Sequence, residues 1–441
     1  MSNSKASWSP RSLHTKFAWT LTILLLLAPL PLGSNRPVPW MAWTFVLAIL
    51  LLLYVAVLSL KTPARKLRSR AVWPAFALGI PFVIYALLQA LPLGLSNLKL
   101  PNDLQLYLPS DYISLTPAAT ALGTLRISGY GVLFFLIFET ATRQSLLKRM
   151  AWALFLGISL HAAWSMVALK LLGDVTLVGE KTAYLGSATG TFINRNSFAT
   201  FLGMGLCLGL AMILDRSNKL PSTTTTIRLE TALLWMYLAL IAIALVSTQS
   251  RMGVFATALG TSVVIYRMKP AKTWYIYAVI LLPLILLFAG NLAERAFFSL
   301  IDSEGRRELW AQSFELLKIR PFTGFGLDSF PQSFALQHAP PLARDVVWEY
   351  AHNSYLTLWI QSGVIFGSLP LLALLWGGTK LVRAPNPQDP IATSALAILV
   401  LAGTHSLVDF SLEMQANAFL FTAVFAMGLA AVQPRKNRSI T

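Results

Sequence analysis

Histidine and arginine side chains stand at the ends of long apolar runs in this sequence. His352 and Asn353 open one such run, and imidazole is the side chain best suited to move a proton near neutral pH. Arg251 lies where one apolar run ends and the next begins, a costly place for an unpaired guanidinium. His352 is therefore either a structural histidine or a proton acceptor. Arg251 either reaches lipid headgroups or binds an anion.

A second group of candidates lies between residues 305 and 330. Arg306 and Arg307 belong to the stretch GRRELW, and guanidinium forks bind phosphate oxygens in pairs. Gly324 and Gly326 follow in the stretch GFGLDSF. Because glycine has no side chain, the backbone at these two positions can approach a ligand closely. A basic helix that faces lipid headgroups explains the same residues, so both interpretations stay open.

Arg195 and Asn196, in GTFINRNSF, lie at the start of another apolar run, where they either cap a helix or contact a polar ligand. The sequence has no histidine–carboxylate spacing typical of a metal site and no phosphate-binding P-loop. Its single cysteine, Cys207, excludes an intrachain disulfide. We therefore predict no metal and no cofactor. A site built from arginines and one histidine, with neither metal nor cofactor, suits a substrate that arrives already activated as a lipid-linked phosphate.

Composition places these residues in a membrane. Apolar residues make up 56% of the 441 residues and charged residues only 12%, about half the fraction in a soluble domain. Runs of about 20 apolar residues are long enough to cross a bilayer as helices. Twelve such spans are predicted, at 17–34, 39–60, 72–93, 125–141, 149–171, 191–214, 231–249, 251–267, 273–290, 352–379, 391–409 and 416–433.

The net charge of +17 follows the loops between these spans. If alternate loops are cytoplasmic, that side carries 22 of the 35 lysines and arginines and 4 of the 18 acidic residues. Cytoplasmic loops of membrane proteins are enriched in basic residues in this way. The positive charge therefore predicts the orientation of the loops, and we predict no nucleic-acid partner. Both termini are expected in the cytoplasm of a bacterial inner membrane, and the first apolar run is expected to be a retained helix.

Two segments on the opposite, periplasmic side are too long to be simple turns. They cover 94–124 and 291–350, and the second contains the stretch 305–319. Leu309, Trp310, Phe314, Leu317 and Ile319 recur there at near-helical spacing before Pro321. The predicted fold is an all-α polytopic membrane protein with a large periplasmic loop that contains a short amphipathic helix.

The ordered set of motifs resembles the bacterial O-antigen ligase and O-antigen polymerase family. The motifs are GTFINRNSFA, STQSRMGVFA, GRRELWAQSFELLKIRPFTGFGLDSF and HNSYLTLWIQSGVIFG, in that order over roughly 190–370. The resemblance implies a metal-independent glycosyltransferase that uses an undecaprenyl-diphosphate-linked glycan at the periplasmic face. It also implies that Arg251, Arg306 and His352 are essential.

The resemblance leaves ligase and polymerase open, because the shared motifs concern the donor and the acceptor distinguishes the two. The acceptor is then lipid A-core or another glycolipid, or a second lipid-linked glycan. Phe366 stands where the family often has a small or tyrosyl residue. On this basis 1–190 holds the N-terminal helices, 191–380 the ligase or polymerase core and 381–441 the C-terminal helices and tail. A transporter with charges near the bilayer midplane and a non-catalytic scaffold are the other classes considered.

Overall fold

The structure is a computed structural model, and it describes residues 10–61, 67–94, 111–219, 224–268, 305–343 and 345–434. The described chain is almost entirely helical. Its helices are α1 Pro10–Leu27, α2 Pro37–Lys61, α3 Trp73–Gln89, α4 Pro117–Thr140, α5 Gln144–Lys170, α6 Arg195–Lys219, α7 Thr225–Ser247, α8 Arg251–Met268, α9 Arg306–Ile319, α10 Phe330–Ala335, α11 Ser354–Val382, α12 Pro390–His405 and α13 Gln415–Ala431.

Three short 3-10 helices and one hairpin complete the described elements. The 3-10 helices are Leu32–Ser34, Arg68–Val72 and Ser411–Glu413. The hairpin joins β1 Val175–Thr176 to β2 Gly179–Glu180, with Val175 opposite Glu180. No other strand occurs in the described ranges.

The helices confirm an all-α membrane protein. Among the described residues, seven helices are long and apolar enough to cross a bilayer: Pro37–Leu60, Arg68–Gln89, Pro117–Thr140, Gln144–Lys170, Arg195–Lys219, Thr225–Ser247 and Ser354–Val382. Eleven of the twelve predicted spans overlap a helix, and the predicted span 273–290 lies outside the described residues. The total of twelve stays a prediction. The largest shift in a boundary is at α4, which begins at Pro117 where a span from 125 was expected.

Helix α6 lies at the centre of the bundle, and its whole apolar window is buried. It packs against α5, α7, α8, α12 and α13. Glycines let these neighbours approach closely: a Cβ at Gly209 would stand 2.2 Å from the Phe155 ring, and one at Gly203 would stand 2.3 Å from Thr257 Oγ1. Small residues serve the same purpose in most membrane helix contacts, because they let backbones come close. The N-terminal end of α6 therefore has a fixed position relative to its neighbours.

Ion pairs join the helices at the end of the bundle where we expect the cytoplasm. Asp215, at the C-terminal end of α6, pairs with both Lys148 and Lys219. Arg267 donates hydrogen bonds from Nε to Pro387 O, at 3.0 Å, and from Nη1 to Val382 O. These basic residues therefore satisfy carboxylates and carbonyl groups at this end, whereas the candidate site lies at the other.

The predicted amphipathic helix is α9, and it begins at Arg306 and ends at Ile319. Leu309 and Leu316 are buried in a small cluster with Phe325, Phe330 and Phe334, separate from the main core. Trp310, Leu317 and Ile319 pack against that cluster, as the spacing predicts. Phe314 was expected on the same face and is instead 49% exposed. It lies on the opposite side of α9 because position 314 is two residues, or about 200°, before Leu316.

The loop that follows α9 is hydrogen-bonded to α11 where that helix is interrupted. Gly363 has φ 71° and ψ 160°, which interrupts the helical hydrogen bonds. Loop residues replace them: Phe325 N donates to Ile360 O at 2.9 Å, and Val364 N donates to Pro321 O at 2.7 Å. A Cβ at Gly363 would stand 2.0 Å from Phe322 O, so only glycine fits. We call residues 321–328 the glycine loop.

Replacing Gly363 tests whether the break organises this region. We expect Gly363→Ala to lower the apparent unfolding temperature in detergent, since its backbone conformation alone costs an alanine roughly 1–3 kcal/mol and its Cβ meets the chain. Gly131→Ala is the matched control, because it lies within α4 with nothing within 4 Å of the added Cβ. That control is expected to be neutral or stabilising by up to about 1 kcal/mol. Equal thermal stability of the two variants would contradict the assignment.

Candidate functional site

The His352 ring lies between two aromatic side chains just before α11. Its ring centroid is 4.8 Å from that of Phe410 and 6.0 Å from that of Trp348, both in edge-on geometry. Trp310 Nε1 donates a hydrogen bond of 2.9 Å to the carbonyl of Ala351 and so ties α9 to the preceding residue. His352 itself has φ 50°, in the left-handed region that is uncommon for residues other than glycine. Its backbone and its ring are therefore both held in one position.

Asn353 caps α11 through its side chain. Its Oδ1 accepts a hydrogen bond of 3.0 Å from Leu356 N, and it is the N-cap residue of the helix. This contact gives Asn353 a structural role beside the predicted one in substrate binding, which stays a prediction.

A network around Asp409 joins two helix starts and one loop at this end of the bundle. Asp409 is buried, its Oδ1 accepts a hydrogen bond of 3.2 Å from Asn196 Nδ2, and its Oδ2 accepts one from Ser411. Its carbonyl accepts a 3.1 Å hydrogen bond from Ser354 Oγ, two residues after His352. The network connects the start of α6, the start of α11 and the loop between α12 and α13.

Arg195 and Arg251 begin α6 and α8, which pack together. The Arg195 guanidinium lies 5.6 Å from the centroid of the Tyr184 ring. Its Nε is buried, and within the described residues Arg195 has neither a hydrogen-bond partner nor an ion pair. Arg251 is exposed at the start of α8, and two residues later Gly253 meets Ala199 of α6, where an added Cβ would be 2.5 Å from the Ala199 Cβ. The two arginines thus lie at the same end of one helix pair.

Arg306 and Arg307 point in different directions from the first turn of α9. Arg306 is 9% exposed, its Nε is buried, and no described residue accepts a hydrogen bond from it. Its charge acts on the buried ring of His405, whose Nδ1 is hydrogen-bonded to Thr200 Oγ1 in α6. Arg307 is exposed, and its predicted contact with substrate stays a prediction. A buried guanidinium without a counter-ion is costly, so Arg306 is suited to an anion.

Gly324 and Gly326 approach the protein's own backbone. A Cβ at Gly324 would be 2.4 Å from Gln361 O, and one at Gly326 would be 2.2 Å from Ser114 Oγ. Gly326 N also donates a hydrogen bond of 2.9 Å to Gln361 O. The absence of side chains at these positions is therefore explained by packing against α11 and residue 114. Their predicted contact with a ligand stays a prediction.

Sequence reasoning missed His405 and Asp409. His405 was treated as one of several scattered histidines, yet the charges of Arg306 and Asp409 both act on its ring. Asp409 follows α12 by four residues, and an acidic residue at the end of an apolar run is the signal that could have identified it. Its network partners, Asn196 and Ser354, are 158 residues apart in the sequence, so spacing alone did not reveal the contact.

A second charged cluster was also missed. Arg126, in α4, pairs with Asp328 of the glycine loop at 2.6 Å. Burial raises the pKa of Asp328 and, near it, raises the pKa of Glu413 to about 7. Arg126 was not among the candidates because its partner, Asp328, is 202 residues away in the sequence. In the described residues, no group of three or more histidine, cysteine, aspartate or glutamate side chains is arranged to hold a metal ion.

Comparison with known families identifies part of this region. Residues 236–372 match the family model described as O-antigen ligase, a segment that includes Arg251, Arg306 and His352. A comparison with curated proteins gives no match. The match confirms the resemblance seen in the motifs. It rests on the sequence and not on the contacts between side chains in the structure. Over residues 236–372 the chain is therefore similar to the O-antigen ligase family.

Proposed function

We propose that this protein transfers a glycan from undecaprenyl diphosphate to an acceptor hydroxyl at the periplasmic face of the bacterial inner membrane. The observation that carries the proposal is that the starts of α6, α8, α9 and α11 bring three arginines and His352 to one end of the bundle. Two of these arginines, Arg195 and Arg306, have no counter-ion among the described residues. The O-antigen ligase domain over 236–372 supports glycan transfer as the reaction.

In this reaction the arginines hold the diphosphate of the donor. Arg195, Arg251 and Arg306 neutralise the negative charge that grows on the leaving oxygen as the bond from the anomeric carbon to the diphosphate breaks. Guanidinium groups suit this role because each presents a planar pair of donors to two phosphate oxygens. Undecaprenyl diphosphate leaves with the electron pair of the broken bond.

His352 acts as the general base on the acceptor. Its imidazole takes the proton of the acceptor hydroxyl as that oxygen attacks the anomeric carbon from the face opposite the diphosphate, which inverts the configuration there. Contacts with Phe410 and Trp348 restrict the orientation of the ring before the acceptor binds. Asn196 donates a hydrogen bond to Asp409, and the Asp409 carbonyl accepts one from Ser354. These contacts position the segment before α11 that carries His352.

A ligase and a polymerase share this donor chemistry and differ in the acceptor. A ligase joins the glycan to lipid A-core or a related glycolipid, whereas a polymerase joins one lipid-linked repeat unit to another. A deletion strain separates the two. Accumulated lipid-linked polymer indicates a ligase, and glycans of a single repeat unit indicate a polymerase. Transport of labelled donor into vesicles without glycosidic product would favour a transporter instead.

Loss of the imidazole is expected to abolish transfer while the protein stays folded. His352→Asn is the sharpest variant, because asparagine tolerates the left-handed backbone that His352 adopts, whereas alanine adds strain. Removing a general base lowers the rate about 10²–10⁴-fold. Product formation by purified protein measures the effect, and His338→Asn, outside the proposed site, is the control. Wild-type turnover in His352→Asn would remove the base assignment.

Arg251→Lys distinguishes a diphosphate clamp from contact with lipid headgroups. A lysine is a point charge on a flexible stem, so we expect this variant to recover little activity and to be only slightly better than Arg251→Ala. Arg36→Lys, at another exposed arginine, should leave transfer unchanged. Donor affinity and turnover are measured in detergent, where bilayer headgroups are largely replaced. Near-wild-type values for Arg251→Lys would show that the side chain only anchors to headgroups.

Transfer should persist in excess EDTA and without ATP. The proposed site neutralises the diphosphate with guanidinium groups, and the sequence has neither a metal-ligand spacing nor a phosphate-binding loop. The assay uses purified protein with the undecaprenyl-diphosphate-linked donor before and after chelation. Complete inhibition that magnesium reverses would show that a cation takes part in the reaction.

A further inference from the structure

His405, at the end of α12, is a buried histidine that the proposed reaction does not use. It is 2% exposed, and its Nε2 is buried without a hydrogen-bond partner among the described residues. The other ring nitrogen, Nδ1, is hydrogen-bonded to Thr200 Oγ1 in α6. A buried polar atom without a partner is costly, so Nε2 is suited to a group that arrives with the substrate.

The hydrogen bonds of Thr200 determine which nitrogen of the His405 ring carries a proton. Thr200 Oγ1 donates to the carbonyl of Asn196 at 3.2 Å. A hydroxyl has a single proton, so Thr200 Oγ1 accepts its other hydrogen bond from Nδ1–H of His405. In the neutral imidazole Nε2 then carries no proton. A second proton on the ring binds at Nε2 and turns the unpartnered atom into a hydrogen-bond donor.

Two nearby charges act on this ring in opposite directions. Asp409, in the loop after α12, favours a positive charge on His405, whereas Arg306, at the start of α9, opposes one. Arg306 is itself 9% exposed, and its buried Nε also has no partner among the described residues. A guanidinium and an imidazole that both lack partners are thus close enough for the charge of one to affect the other. An anion bound at Arg306 changes the balance of charge at His405.

The other ionisable groups near the ring lie on the helices that pack against α12. These helices are α5, α6, α8, α11 and α13. Arg195 and Arg251 begin α6 and α8, and Tyr355 of α11 is hydrogen-bonded to the last turn of α12. Helix α13 has no ionisable side chain, and α5 contacts α12 at the opposite end, where Gln144 donates to its N-cap residue. These groups are positive or neutral, so an added negative charge favours protonation of the ring.

We propose that His405 forms part of the diphosphate site, and that donor binding adds a proton to its Nε2, which then donates a hydrogen bond to a phosphate oxygen. The inference rests on the proposed function and deepens it by coupling donor binding to protonation. The proton comes from solvent, and no covalent bond to carbon or phosphorus changes in this step. The negative charges of the diphosphate offset the repulsion from Arg306, because charges interact strongly where water is excluded. The same hydrogen bond stabilises the charge that grows on the diphosphate as it leaves.

Binding that takes up a proton is stronger at low pH. If the ring is neutral before the donor binds and charged afterwards, donor affinity falls about tenfold for each unit that the pH rises. His352 has the opposite requirement, because a general base must be neutral to accept a proton. The pH dependence of donor affinity therefore reports on His405, whereas that of turnover at saturating donor reports on His352.

Calorimetry in buffers with different enthalpies of protonation counts the protons taken up when the donor binds. The protein carries His352→Asn, which prevents transfer and removes the proposed base. The probe is a short-chain prenyl diphosphate-linked monosaccharide, a diester whose phosphates stay ionised throughout the measurement. Near neutral pH we expect uptake of about one proton per donor and a fall in affinity of about tenfold per pH unit. His405→Gln, added to this protein, should remove both the uptake and the pH dependence, because an amide does not take up a proton in this range.

His161→Gln is the matched control. His161 is also buried, and its Nδ1 is also hydrogen-bonded to a threonine hydroxyl, that of Thr191 at 3.1 Å. Its Nε2, however, donates to the carbonyl of Leu26 at 3.4 Å. Because this ring has partners on both nitrogens, His161→Gln should leave the proton uptake unchanged.

Thr200→Val is a second test that keeps the imidazole and nearly the same side-chain shape. It removes the acceptor for Nδ1–H, so the charged ring loses a partner and the fall in donor affinity should shift to lower pH. An unchanged pH profile in Thr200→Val would contradict the inference even if His405→Gln fails to fold.

Two further outcomes decide the inference. Donor binding without proton uptake in the His352→Asn protein would overturn it, and so would uptake that persists after His405→Gln. These results are separate from transfer: a wild type that makes product, together with a donor complex that takes up no proton, contradicts only the role of His405. A wild type that binds the donor with proton uptake and makes no product contradicts the proposed function.

Discussion

The break in α11 at Gly363 is the constraint on which the outer half of the protein depends. Inside a bilayer, an interrupted helix leaves peptide groups without partners, and each such group is costly. Here Phe325 N and Gly326 N donate to Ile360 O and Gln361 O, and Pro321 O accepts from Val364 N. The glycine loop therefore completes the helix, and the helix in turn fixes the loop.

Other contacts around this break reinforce the same arrangement. Gln89, buried at the end of α3, donates to Thr323 O at 2.8 Å and to Gln361 O at 2.9 Å, and so joins α3 to both the loop and α11. Arg320 donates to Ile113 O at 2.8 Å, and burial lowers the pKa of its guanidinium. Arg320 is thus an arginine of the outer segment whose guanidinium stabilises the fold. Arg306, at the start of the preceding helix, makes no such hydrogen bond to a described residue. The first part of α11, from Ser354 to the break, then presents His352 at a set position.

Two polar sites of opposite character result at the same end of the bundle. Arg195 and Arg306 have no counter-ion among the described residues, whereas Arg126 is neutralised and has a second carboxylate beside it. Burial makes this difference large, since charges interact more strongly away from water. Phe410 contacts His352 and stacks on Tyr350, so an aromatic pair lies where the two sites meet. The two sites therefore differ in the charge that they present at the same end of the bundle.

The sequence predicted the helical fold and the ends of most helices well, because apolar length and basic loops are strong signals. It also named Arg306 and His352 as candidates, each of which lies at or just before a helix start, and their roles stay predictions. It did not identify Asp409 or the pair Arg126–Asp328, because their partners are distant in sequence. The start of α4 also differs by eight residues from the predicted start of its span. Apolar periodicity is insensitive to such a shift, since the added first turns contain alanine, threonine and glycine.

Backbone conformation gives a further reason to group the outer residues as one site. Tyr184, Gln249, Asp328 and His352 all have positive φ, between 50° and 59°, although none is glycine. Tyr184 lies under Arg195, Gln249 lies two residues before Arg251, and Asp328 pairs with Arg126. Each such conformation costs about 1–3 kcal/mol and persists only where surrounding contacts enforce it. For His352 those contacts are the Trp310 bond to Ala351 O, the Asn353 cap and the two flanking rings. Packing that maintains strained backbone at His352 and beside Arg195 and Arg251 is expected of a site that is organised before its substrates arrive, because the cost of ordering is then met on folding.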